Sequence, residues 1–98
     1  MTPAAMCLAL FSFMATDMDA PAIERLAAGF KADAIYRVAA MSQDLDALDE
    51  EARGIIRSFN NPAVSGPISA FVDANRARCE DEAVRAAHVL RSDPERGA

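Results

Sequence analysis

The chain has 98 residues, of which 52% are apolar, 26% charged and only 6% aromatic, so it is long enough for one small domain and too apolar to be intrinsically disordered. Fifteen acidic residues against ten Lys and Arg give a net charge of -5, which repels a phosphate backbone and argues against nucleic acid as a partner. A domain this small buries a modest share of its surface, so self-association is a natural supplement to its stability.

The most apolar stretch comes first, at residues 4–15 (AAMCLALFSFMA). Twelve residues are too few to span a membrane, which takes about 20. No Lys or Arg precedes the stretch and no clean small-x-small cleavage site follows it, so an exported or membrane-associated protein is the alternative and a core element of a cytoplasmic one the main expectation. Met14 is also a possible initiator, which leaves open whether residues 1–13 belong to the native chain. Residues 1–16 are read as an apolar N-terminal segment of a single domain covering 1–98.

From Ile23 onward the apolar period is helical. Ile23, Leu26, Phe30, Ala34, Val38, Met41, Leu45, Leu48, Ala52, Ile55 and Phe59 follow one another in steps of three and four, the signature of one buried stripe. The local signals divide it. Asp19 and Pro21 open a helix, and the run Asp44, Asp46, Asp49, Glu50 and Glu51 followed by Arg53 and Arg57 has the charge order of a second helix dipole. Helices are therefore expected at 20–42 and 45–59, with a single kinked helix as the alternative. Asn60-Asn61-Pro62 is turn chemistry, and Ser65 before Gly66-Pro67 is a candidate cap for a last helix at 66–91. Its seam runs Ile68, Val72, Asn75, Cys79, Ala83, Ala86 and Leu90, with Phe71 widening it. Asn75 is the polar member, which either fixes register between helices or faces water at the margin. Residues 92–98 read as a polar tail. The fold class is all-α, a small helical bundle or helical hairpin of three to four amphipathic helices, its Ala-rich seam permitting close helix packing.

Chemistry is sparse. Cys7 and Cys79 stand 72 positions apart and form no disulfide framework, so both are expected to be reduced, buried and structural, consistent with a cytoplasmic location. His88 lies nine positions after Cys79, on the opposite face of a helix, and the two cannot share a metal there. No Glu-x-x-His motif, P-loop or nucleophile–base set occurs, so no cofactor, metal site or catalytic residue is assigned. Acids one turn before Arg37, Arg53, Arg76 and Arg85 (Asp33, Asp49, Asp73 and Asp81) are read as solvated helix pairs, and the acidic run as a solvated helix start.

The run Arg85-Ala86-Ala87-His88-Val89-Leu90-Arg91-Ser92 resembles the phosphoacceptor helix of histidine phosphotransfer domains, four-helix bundles that carry an exposed His. The resemblance covers eight residues and implies that His88 would accept a phosphoryl group, with Arg91 in the place of the family's Lys and Ser92 in that of its glycine. Phosphotransfer through His88 is the enzymatic alternative. The leading expectation is a non-enzymatic interaction module, a small acidic regulator, adaptor or accessory subunit. Such a chain would pair as a homodimer, or with another protein, through a face carrying Phe59, Phe71 and Leu90 together with the N-terminal segment.

Overall fold

The computed structural model describes residues 2–92, apart from the side chains of Pro62 and Ser65. Four long helices, α1 (Pro3–Thr16), α2 (Ala22–Ala39), α3 (Leu45–Ser58) and α5 (Ile68–Ser92), are joined by tight turns, with one short helix, α4 (Pro62–Ser65), before the last. No strand occurs among the described residues. The chain is an all-α bundle, and 20–59 folds as two helices whose bounds fall within a few residues of the expected ones. The polar tail beyond Ser92 lies outside the described residues, as does any cap made by the Ser65 side chain.

Each boundary has a local cause. Thr2 caps α1 by accepting from the Ala5 N–H at 3.3 Å, and Pro3 occupies the first turn, where its missing N–H costs nothing. Pro21 precedes α2, and its carbonyl accepts from the N–H groups of Glu24 and Arg25. Asp44 caps α3 through Oδ1, which accepts from the N–H groups of Asp46 (3.0 Å) and Ala47 (3.4 Å). Gly66 takes a φ of 77°, left-handed backbone that favours glycine, and so ends α4 and turns the chain into α5.

The apolar N-terminal segment is the centre of the bundle. Residues 5–11 are all buried, seven in succession, which a helix achieves only when neighbours cover it on every side. α1 touches α2, α3 and α5, and α2 also packs on α5. Contacts set the directions: Cys7 meets Cys79 and Phe13 meets Phe71, so α5 runs antiparallel to α1, whereas Thr2 meets Glu51 and Phe13 meets Phe59, so α3 runs parallel to it. Against α1 the surrounding helices bury Ala28, Ile35 and Ala39 from α2, Leu48, Ala52 and Ile55 from α3, and Cys79, Ala83 and Ala86 from α5. The small residues of α2 and α5 let the axes approach closely, and burial of Met6, Leu8, Leu10 and Phe11 contributes roughly 1.5–3 kcal/mol each.

Two expectations are overturned here. Cys7 and Cys79 are not reduced: they form a disulfide with Cα atoms 5.3 Å apart, both residues fully buried. Each cysteine sits mid-helix on the face turned to the other helix, so antiparallel packing of α1 on α5 brings together two residues that the sequence separates by 72 positions. The continuous stripe beginning at Ile23 is buried only in its later part, at Leu48, Ala52 and Ile55 of α3. Ile23, Leu26 and Phe30 face outward, and α2 packs inward through the line Ala28, Ile35 and Ala39. Asn75 bonds locally, its Nδ2 donating to the Phe71 carbonyl at 2.9 Å, rather than reaching a neighbouring helix.

Candidate functional site

The residues that the sequence nominated for an interface are divided. Phe59 and Phe71 come together with ring centroids 5.1 Å apart, and both pack edge-on against Phe13, at 5.2 and 6.1 Å. This trio ties the end of α1 to the end of α3 and the start of α5. Its rings are half-buried in one another and hold the bundle closed at that end. Leu90 lies about 28 Å further along α5, at the helical rise, and shares no surface with them.

The acidic run is consumed by structure. Asp44 is the α3 cap, Asp49 pairs with Arg53 at 3.3 Å, and Glu50 pairs with Arg57 at 2.7 Å. Glu51 holds the start of α1, its carboxylate accepting from the Thr2 N–H at 2.6 Å and the Thr2 hydroxyl at 3.2 Å. Of the other expected pairs, Asp33–Arg37 forms at 2.9 Å. Arg85 pairs with Glu82 rather than Asp81, and Asp73 makes no ion pair with Arg76. A further lock was not legible in local spacing: Lys31 on α2 pairs with Glu80 on α5 at 2.8 Å and stands 5.9 Å from the centre of the Phe11 ring on α1, binding three helices through one cation.

Clefts open on the surface between described residues. One, of about 370 Å³, is walled by Ile35, Val38, Ala86 and Val89 with Gln43 and Arg85; another, of about 420 Å³, by Phe13, Met14, Ile68 and Val72 with Asp17 and Asp73. Neither wall carries a His, Cys or Lys. His88 is exposed on α5, and no described residue hydrogen-bonds its ring. No three potential metal ligands gather among the described residues, and no described helix is long and apolar enough to cross a membrane.

What stands out is the outer face of α2. Ile23 is 76% exposed, Leu26 61% and Phe30 67%, three large apolar side chains at helical spacing with water on them. At 3.6 residues per turn they fall with Ala22 and Gly29 inside an arc of about 120°, opposite Ala28. Met18 extends the patch at its foot, where its sulfur accepts from Arg25 Nη1 at 3.1 Å. No family model, curated protein or solved structure matches the chain. The stripe uses no motif; its periodicity was visible in the sequence, but which way it faced depended on α1 lying behind α2.

Proposed function

We propose that the protein is a non-enzymatic interaction module, a disulfide-stapled helical bundle that presents the outer face of α2 to another polypeptide. The observation that carries this reading is the exposure of Ile23, Leu26 and Phe30 on a regular helix whose opposite side is fully packed. Spacing of i, i+3 and i+7 is that of the anchors by which one helix seats against a protein partner. Soluble domains seldom leave such residues contiguous and uncovered, since each loses the free energy of its burial. A buried disulfide supports an oxidising compartment as the place of work, in preference to the cytoplasm. In the phosphotransfer alternative, His88 would take the phosphoryl group, but that chemistry has no use for the α2 face.

A photo-reactive amino acid in place of Phe30, with a control at exposed Ala47 on α3, tests the reading in the native host. Adducts to a polypeptide from position 30 and none from position 47 are expected. Equal labelling from both, or none from either, would overturn it.

A further inference from the structure

Independently of the α2 face, we propose that the cleft between the end of α1 and the start of α5 binds a small organic cation, an apolar body carrying a protonated primary amine. The cleft lies where the α1–α5 seam opens. Cys7 is level with Cys79, their Cα atoms 5.3 Å apart, and antiparallel packing carries that register onward, setting Phe13 level with Asp73, Met14 with Val72 and Asp17 with Ser69. All six of these residues line the cleft, together with Thr16 and Ile68. Phe13 meets Phe71 across the seam with ring centroids 6.1 Å apart, and the space left beside them is about 420 Å³, in the range of small-molecule sites. From Ile68 to Asp73 it runs about 8 Å along α5 at the helical rise, shorter than the i to i+7 span by which a partner helix is anchored.

The walls fix the sign of the ligand. Phe13, Met14, Ile68 and Val72 make them apolar, and the charged residues among them, Asp17 and Asp73, are both acids. Asp17 is the C-cap of α1, where the helix already presents unpaired carbonyls and the negative end of its dipole, and no basic residue stands in the last turn to offset them. A carboxylate at that end is the reverse of what the dipole favours. Its Oδ1 accepts from the Asp19 N–H at 3.0 Å, and no described residue reaches Oδ2; Arg25, which extends to this turn, donates to the Met18 sulfur instead. Asp73 has no ion pair or hydrogen bond with a described residue. The levels of Asp17 and Asp73 are four residues apart on α5, about 6 Å, so both carboxylates attract one cation between them. The Thr16 hydroxyl donates to the Ser12 carbonyl at 2.9 Å and keeps its lone pairs for a donor. Oxygen acceptors of this kind suit the three N–H groups of a primary ammonium, whose tail the apolar wall removes from water.

Nuclear magnetic resonance titration of the oxidised full-length chain with octylammonium, octanol and octanoate, which share a tail and differ in charge, tests the assignment. Octylammonium is expected to saturate, with backbone shifts concentrated at Met14, Thr16, Ile68, Ser69 and Val72, and to bind roughly tenfold more tightly than octanol, whereas octanoate should not saturate. Asp17→Asn and Asp73→Asn, both at exposed positions, should keep the helical circular dichroism and each weaken octylammonium roughly threefold, the double variant bringing it to the level of octanol. Asp81→Asn, further along α5, should leave binding as it was. Failure of octylammonium to saturate, equal binding of amine and alcohol, or indifference to the double variant would overturn the proposal, as would shifts centred on Ile23, Leu26 and Phe30. Tighter binding of an apolar peptide with one lysine than of octylammonium would also overturn it, in favour of a partner's side chain.

Discussion

α1 has no charged residue and the first half of α2 carries Glu24 and Arg25, yet both hold large apolar side chains, and one is enclosed while the other wears them on the outside. Phe11 is fully buried and Phe30 is 67% exposed. Side-chain chemistry does not distinguish them; the number of helices around each does. α1 has three long neighbours and hides residues 5–11, whereas α2 needs one inward line, and that line is mostly alanine. Burial on a helix is thus decided by how many sides are occupied, and an apolar side with no neighbour is left over for something else.

The contrast can be broken most directly by placing the same charge on each helix. Leu10→Asp puts an unpaired carboxylate in the centre of the bundle and should abolish the cooperative thermal transition, while Leu26→Asp at low protein concentration should leave the melting temperature within a few degrees. Equal loss in both would mean that the α2 face is buried in the single chain. Next in size is the staple. Closing a loop over 72 positions restrains the unfolded chain, and reduction should cost about 4 kcal/mol in the chain-entropy account, read as a lower denaturant midpoint. Gly29→Ala should stabilise the isolated chain by about 0.5–1 kcal/mol, because the new methyl meets nothing and the helix gains propensity. Smallest is Phe30→Ser, expected within about 0.5 kcal/mol of the parent under monomeric conditions; a larger loss would show that the ring packs within its own chain.

The bounds of α2, α3 and α5 were legible because they follow from local chemistry: Pro21, the acidic run that opens α3 and the Ser65-Gly66-Pro67 turn act on neighbours in sequence, whereas the sequence around Pro62–Ser65 reads as a turn where the short α4 forms. The inner seam of α5 was legible too, since Cys79, Ala83 and Ala86 are buried as their spacing suggests. The orientation of α2 was not. Its outer stripe of Ile, Leu and Phe carries a stronger hydrophobic signal than its inner line, and only the position of α1 decides between them. The Cys7–Cys79 bond was missed for a related reason. Counting cysteines addresses multiply bridged frameworks, whereas this pair is set by two helices packing antiparallel, a tertiary fact with no local trace.

The central place of α1 has a consequence for synthesis. The segment that every other helix needs leaves the ribosome before any of them, and its last partner is complete only when Ser92 has been added. At 5–20 residues per second, that exposes an uncovered, highly apolar peptide for on the order of 5–15 s. During that interval the nascent chain offers targeting factors and holdase chaperones the same surface that later becomes the core, and Cys7 waits through it as a free thiol until Cys79 arrives.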